Sequence, residues 1–165
     1  MGHEKYVFIG NRVSPPCRQE RGSGNMTMIP EGFRKVVSKS PFVDLIGPLY
    51  ERRDAKGVTI GFQVTEKHRN GRGIVHGGMI CTLADFAMGY TAARVCDPPR
   101  KVVTTTLSVD FAGNALPGDW VEARVDLYRP GKRIAFVDCF IWRLGNHPDR
   151  IGRASATFLI LGADE

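Results

Sequence analysis

No apolar run in this sequence approaches the roughly 20 residues that a membrane-spanning helix requires. The N-terminal residues also lack the long apolar segment of a secretory signal. Glu4 and Glu20 argue against an organelle transit peptide, which is poor in acidic residues. These absences predict a cytoplasmic protein with no membrane partner.

Cysteine is scarce, and no two cysteines are close enough to form a C-x-x-C pair. The four are Cys17, Cys81, Cys96 and Cys139. Such spacing favours reduced side chains, with Cys81 and Cys139 buried, over disulfides. The histidines have no ligand spacing to these cysteines, so no metal site is predicted.

Dense basic runs are also absent, although 23 Lys and Arg against 17 Asp and Glu give a net charge of +6. The basic residues are scattered and match no RRM, KH or helix-turn-helix pattern, so no nucleic-acid partner is predicted. The same charge suits a polyanionic small molecule, such as a thioester that carries a nucleotide. With 165 residues, 42% of them hydrophobic, the chain is expected to form one globular domain.

Residues 1–30 mix prolines, glycines and charges without a sustained period, which predicts a flexible N-terminal arm. The alternative is that 6–9 docks on a sheet edge. The folded domain is then 31–165. At the boundary, Pro30-Glu31 predicts the start of a short helix that carries Phe33, Val36 and Val37 and ends before Pro41. A short turn is predicted over 42–46.

Alternating apolar residues predict a hairpin of strands 49–53 and 58–65. A long helix should then run from Gly77 or Gly78 to about Val95 and end before Pro98. We expect one apolar stripe of this helix to cover the sheet, while a face of small residues stays open to close approach. The stripe comprises Met79, Leu83, Phe86 and Tyr90, and the small face comprises Gly78, Thr82, Asp85, Gly89 and Ala92.

Four more strands are predicted, at 102–111, 119–128, 133–143 and 150–161. The connections between them are short and rich in turn residues, which implies antiparallel neighbours. The element order predicts an α+β fold, a curved antiparallel sheet around one long central helix.

The most informative stretch is the glycine-rich turn 70–78, with the lone helical acid Asp85 behind it. Free amides at a helix start attract an oxyanion. A half-buried carboxylate is a candidate general base or nucleophile. Together the two features point to acyl chemistry.

Residues 31–163 resemble the hotdog fold, in particular the acyl-CoA thioesterases of the phenylacetic-acid-pathway type in the 4-hydroxybenzoyl-CoA thioesterase superfamily. Asn70 lies six residues before His76 of a His-Gly-Gly motif, and the acid follows nine residues after that histidine. The segment 103–111 resembles the strand whose first hydroxyl often faces the catalytic acid in that family.

The resemblance implies roles for five residues. The Gly77 amide would hold the thioester oxyanion, and Asp85 would activate water or attack directly. Asn70 would position the water or the carbonyl, and Thr104 would hydrogen-bond the acid or the water. His76 would shape the turn or contact the substrate.

The resemblance further suggests that Arg129, Lys132 and Arg133 receive the phosphates of coenzyme A, which enters as part of the substrate. No separate cofactor is expected. The expected lining of the acyl pocket comprises Gly78, Thr82, Met88 and Gly89.

Each assignment has a structural alternative. Asp85 would be a structural acid if Thr82 satisfied it, and Asn70 would be only a turn cap. The register around Thr104 could slip by two within three consecutive threonines, and the basic cluster at 129–133 could be a solvated turn.

Gly77 and Asp85 are eight residues apart on one helix, which is about 12 Å along the axis. An attacking oxygen must come within roughly 3–3.5 Å of the carbonyl carbon, so one chain cannot supply both groups. Two antiparallel helices of two subunits could do so. The resemblance likewise implies dimers with sites between subunits, and a dimer of dimers is the expected assembly.

The leading function is therefore hydrolysis of an aryl- or medium-chain acyl-CoA to free acid and coenzyme A. The alternatives are a non-catalytic acyl-CoA sensor of the same fold and a hotdog hydratase, whose Asp/His pair is absent from this sequence.

Overall fold

The computed structural model describes residues 29–55, 57–94, 98–145 and 148–162. The predicted arm 1–30 lies almost wholly outside these ranges, so its flexibility stays a prediction. Cys17 and Cys96 also lie outside them. Cys139 is buried and free, whereas Cys81, which we expected to be buried, is free but partly exposed. No helix in the described ranges is both long and apolar enough to span a membrane.

Within the described ranges, seven strands form one antiparallel sheet in the order β1-β2-β3-β5-β6-β7-β4, and the long helix α2 packs on one face. The predicted α+β hotdog architecture is confirmed. The elements are β1 (Arg34–Lys35), α1 (Pro41–Ile46), β2 (Tyr50–Asp54), β3 (Gly57–Gln63), α2 (Gly77–Arg94), β4 (Val102–Phe111), β5 (Trp120–Pro130), β6 (Ile134–Leu144) and β7 (Asp149–Ile160).

The hairpin of β2 and β3 is confirmed, with Asp54 paired to Gly57. Gly57 has φ of 118°, a conformation that side-chain-bearing residues rarely adopt, which explains glycine at this turn.

The predicted helix after Pro30 is wrong. Gly32 adopts φ of 81°, which breaks any helix, and the chain continues as the short strand β1, paired with β2. The side chains therefore alternate: Val36 is buried, but Val37 is 94% exposed.

The segment 42–46, predicted as a turn, belongs to the six-residue helix α1. Ser40 caps it by accepting a hydrogen bond from the Val43 amide, and Pro41 opens its first turn. Both are favoured residues at these positions.

The antiparallel pairing of β5 with β6 and of β6 with β7 is confirmed. The expectation that β4 neighbours β5 is wrong, because β4 pairs with β7 at the far edge of the sheet, while β5 pairs with β3. The connection 112–119 crosses the end of the sheet, and the amides of Ala112 and Gly113 bond to the Ile151 carbonyl on the way.

Helix α2 confirms the predicted span, but the orientation of its faces differs from the prediction. The face against the sheet carries Ile80, Leu83, Ala84, Ala87 and Met88. Met79 and Leu83 of the predicted stripe are buried as expected, but Phe86 and Tyr90 are half-exposed, and Ala92 of the predicted small face is 1% exposed. Before its last turn, the helix carries a single charged side chain, Asp85, and small or apolar residues occur on every side, so periodicity alone could not orient it.

Candidate functional site

The site begins at the N-terminus of α2, which His76 caps. The His76 ring accepts a hydrogen bond from the Gly78 amide at Nδ1 over 2.8 Å, and its carbonyl accepts one from the Met79 amide over 2.9 Å. These bonds satisfy two of the donors that every helix start leaves open. His76 thus shapes the turn, as one of its two predicted roles requires.

The Gly77 amide, which directly precedes these two donors in the chain, has no acceptor among the described residues. The Phe111 ring lies beside it, 3.5 Å from where a Cβ of residue 77 would stand. An open amide at the positive end of a helix can donate to an oxyanion.

The carboxylate of Asp85 is held by the neighbouring strand. Thr104 Oγ1 donates a hydrogen bond to Asp85 Oδ1 over 2.9 Å. The Thr82 hydroxyl, which was the alternative partner of Asp85, donates instead to the Gly78 carbonyl over 2.9 Å. Among the three consecutive threonines, Thr104 is therefore the one that contacts Asp85, as predicted. The second carboxylate oxygen of Asp85 has no donor among the described residues.

Asn70 closes the glycine-rich turn. Its side-chain Oδ1 accepts a hydrogen bond from the Arg72 amide over 2.8 Å, and its backbone bonds to Ile74 and Gly73. The side-chain oxygen of Asn70 therefore caps the turn, as the structural alternative for this residue predicts. Its side-chain NH₂ has no described acceptor and is available to a ligand.

The buried His68 fixes the backbone that leads into this turn. Its carbonyl accepts the His76 amide over 2.7 Å. Nδ1 of the ring accepts a hydrogen bond from the Thr65 amide over 3.0 Å. Nε2 of the ring lies 2.8 Å from the Ile46 carbonyl oxygen. Burial lowers the pKa of His68, and the Lys67 charge adds to this, so the neutral ring is favoured despite the bond to Ile46.

Asp85 and Thr104 open into a cleft of about 670 Å³ between α2, the start of β4 and the end of β7. Phe86, Gly89 and Phe158 form apolar parts of its wall. Gly89 lies against the Phe158 ring, 3.1 Å from where a Cβ would stand, so a larger residue would crowd the wall.

A buried carboxylate holds the cleft wall against the sheet. Glu51 Oε2 accepts hydrogen bonds from the Tyr90 hydroxyl over 2.8 Å and from Arg53 Nε over 3.0 Å. Burial raises the pKa of Glu51, but these bonds and the charges of Arg53 and Arg34 outweigh it and lower the pKa. The ionised acid thereby fixes Tyr90 at the edge of the cleft.

The predicted substrate-pocket residues are only partly brought together. Gly89 lines the cleft, while Met88 is fully buried in the core and does not line it. Gly78 and Thr82 lie on the partly exposed side of α2, outside this cleft.

The predicted phosphate contacts are at the turn between β5 and β6. The Arg129 side chain lies outside the described residues, whereas Lys132 and Arg133 are exposed. The Arg133 carbonyl accepts a hydrogen bond from the Ile160 amide over 2.8 Å. This turn therefore lies at the end of the sheet where the cleft opens. Neither described side chain lines the cleft.

The cleft instead carries basic residues that sequence reasoning treated as scattered or did not single out. They are Lys39, Arg94, Arg100 and Lys101. Their positions in the sequence could have indicated them. Arg94 ends α2 and Lys101 directly precedes β4, so both flank the connection between the two elements that carry Asp85 and Thr104.

Comparison with known proteins gives a consistent result. Residues 72–149 match the model of the thioesterase superfamily. The "Putative esterase PA0474" of Pseudomonas aeruginosa is 38% identical over 134 residues, which cover 81% of this chain and 98% of that protein.

Two solved structures share the fold at lower identity. The E. coli PaaI protein from the phenylacetic acid degradation operon superposes with a TM-score of 0.66 at 20% identity, covering 75% of this chain and 86% of that one. The BH2602 protein of Bacillus halodurans, solved with CoA, has a TM-score of 0.57 at 20% identity, covering 62% and 66%.

Proposed function

The chain belongs to the thioesterase superfamily, and we propose that it hydrolyses an aryl- or medium-chain acyl-CoA to a free acid and coenzyme A. The observation that carries the proposal is the bond from Thr104 to Asp85 at the mouth of a partly apolar cleft. The open amide of Gly77 supplies the second element that acyl transfer requires. The CoA bound to the Bacillus halodurans neighbour supports this class of substrate.

In the proposed reaction the Gly77 amide donates to the thioester oxygen, and Asp85 takes a proton from a water molecule. The water oxygen bonds to the carbonyl carbon, and the tetrahedral intermediate then breaks its carbon–sulfur bond. The thiolate leaves and is protonated. In the alternative first step, an oxygen of Asp85 attacks the carbonyl carbon, the carbon–sulfur bond breaks and the thiolate leaves, which gives an anhydride. Water then hydrolyses this anhydride to the free acid and the Asp85 carboxylate.

Supporting residues complete the proposed site. The free side-chain NH₂ of Asn70 would donate to the water or the carbonyl, and Thr104 would hold Asp85 in one orientation. His76 would keep the Gly78 amide occupied, so that Gly77 remains the open donor. One such donor contributes roughly 3 kcal/mol to transition-state stabilisation.

We propose a homodimer because Gly77 and Asp85 of one helix are about 12 Å apart along its axis. Edge strand β4 is ten residues long and exposed along most of its length, including Leu107 at 37% and Phe111 at 57%. A long edge strand with exposed apolar side chains favours pairing with another chain. Antiparallel copies of α2 would then bring Asp85 of one subunit opposite Gly77 of the other.

We further propose that two such dimers associate, and that the protein acts in the cytoplasm. Apolar side chains left exposed near the end of the sheet support a second interface. They are Ile134, Phe136 and Leu159.

The test is thiol release from a panel of aryl- and medium-chain acyl-CoAs by the wild type and by Asp85→Asn. We expect turnover by the wild type and a loss of about a hundredfold or more in the variant. Thermal unfolding controls for its fold. Binding of CoA esters without turnover would indicate a sensor instead, and equal turnover by both proteins would refute Asp85 as the catalytic acid.

A further inference from the structure

We propose that the basic residues at the rim of the Asp85 cleft, Lys39, Arg94, Arg100 and Lys101, bind the phosphates of the coenzyme A nucleotide. This inference rests on the proposed acyl-CoA thioesterase activity and assigns the substrate's charged end to residues other than the predicted turn 129–133.

The cleft has the two-part composition that such a ligand needs. Near α2 its wall includes Phe86, Gly89 and Phe158, which suit an uncharged chain. Asp85 is the only carboxylate among the described lining residues, against four basic side chains. A groove lined by one sign of charge concentrates a ligand of the opposite sign, here an anion.

The rim cations have no carboxylate partner within the described part of the chain. Elsewhere the arginines mostly form ion pairs, such as Arg53 with Glu51 and Arg153 with Asp110. Arg94 stacks on Tyr90 instead, with its guanidinium carbon 3.6 Å from the ring centroid. The rim therefore keeps donors available, and arginine binds phosphate through charge-assisted hydrogen bonds.

The backbone of the rim is anchored at two points. The Arg100 amide donates to the Ala93 carbonyl over 2.8 Å, and the Lys101 carbonyl accepts the Leu161 amide over 2.9 Å. These bonds fasten the start of β4 to the end of α2 and to the end of β7. The two basic side chains are thus displayed from a fixed position beside the cleft.

The spacing also fits the ligand. Arg94 lies nine residues beyond Asp85 on the same helix, which is about 14 Å along the axis. In an acyl-CoA the long pantetheine chain separates the thioester from the phosphates. A thioester held at Asp85 would therefore place its pantetheine chain along the apolar wall and its phosphates at the rim.

Titration of coenzyme A itself tests the inference by calorimetry. The combined variant Arg100→Ala and Lys101→Ala should bind coenzyme A at least about tenfold more weakly than the wild type. The control Arg150→Ala removes an exposed arginine at the other end of β7, where it stacks on Phe140. It should change the affinity by less than about threefold.

Several outcomes would overturn the inference: no binding of coenzyme A by the wild type, unaltered binding by the rim variant, or weakened binding only in the combined variant Lys132→Ala and Arg133→Ala. The last result would support the turn between β5 and β6 instead. Unfolding temperatures of all variants distinguish a lost contact from a lost fold.

A kinetic comparison separates this inference from the proposed activity. The ratio of kcat/KM for the acyl-CoA to that for the acyl-N-acetylcysteamine thioester, which lacks the nucleotide, should fall about tenfold in the rim variant. An equal loss on both substrates would overturn the inference while the hydrolytic activity stands. Rim-dependent binding of coenzyme A without hydrolysis of either thioester would refute the activity alone.

Discussion

The Thr104 hydroxyl donates a 2.9 Å hydrogen bond to Oδ1 of Asp85 and so connects edge strand β4 to helix α2. One oxygen of the Asp85 carboxylate is thereby occupied, and the other has no hydrogen-bond donor among the described residues. The bond fixes the orientation of the acid at the mouth of the cleft, where a water molecule or a carbonyl carbon can approach it.

Replacing Thr104 tests this positioning role. In Thr104→Val the shape remains but the donor is lost, and we expect kcat/KM for the best acyl-CoA to fall by about tenfold. Thr104→Ser, which retains the hydroxyl, should stay within about threefold of the wild type. Because Thr104 is exposed in the single chain, neither change should lower the unfolding temperature much. Equal activity of the valine and serine variants would contradict the role.

The amide of Gly77 can be removed without removing the helix. Proline has no N–H and is favoured at the first helical position, so Gly77→Pro should fold normally. We expect kcat to fall by about a hundredfold, the usual effect of deleting one oxyanion donor. Circular dichroism checks the helix.

Gly77→Ala is the matched control for that substitution. It keeps the N–H, and its Cβ would lie 3.5 Å from the Phe111 ring, an ordinary contact distance. An equal loss of kcat in the alanine and proline variants would show that bulk at residue 77, rather than the missing donor, limits the reaction.

The parts of this molecule that the sequence predicts well are those that local chemistry determines. The span of α2 follows from the glycines and histidine at its start and the prolines beyond its end. The contact between Asp85 and Thr104 followed from a family resemblance in spacing, since no local rule joins residues 19 positions apart.

Three features could not be predicted, for physical reasons. The short connection 112–119 looks like a hairpin loop, yet it carries the chain from β4 at one sheet edge to β5. The orientation of α2 was ambiguous because nearly all its side chains are apolar. The basic rim at Lys39 and 100–101 is assembled from segments distant in sequence, and nothing in the sequence itself connects these charges with one another.

His68 makes the folded state sensitive to acid. Its pKa is lowered in the folded chain by burial, whereas the unfolded chain binds a proton near the ordinary pKa of about 6.5. Stability should therefore be fully present above that pH and be lost as the pH falls towards the folded-state pKa. Protonation of Nδ1 would oppose the Thr65 amide that now donates to it.

Urea unfolding at about pH 8 and about pH 5.5 measures this dependence. The wild type should lose stability between the two values. His68→Gln cannot titrate and should be less stable at the higher pH, but it should show a smaller difference between the two conditions. An undiminished difference in the variant would assign the acid sensitivity to other groups.

Mixing two inactive variants tests whether each site is shared between subunits. Asp85→Asn keeps the Gly77 amide, and Gly77→Pro keeps the Asp85 carboxylate. If each site takes Asp85 from one subunit and the Gly77 amide from the other, a dimer of one Asp85→Asn chain and one Gly77→Pro chain has one complete site. Random exchange makes half of the dimers mixed, so activity should recover to about a quarter of the wild-type value. If each site lay within one chain, every site in the mixture would lack one group, and unfolding and refolding the variants together would restore nothing.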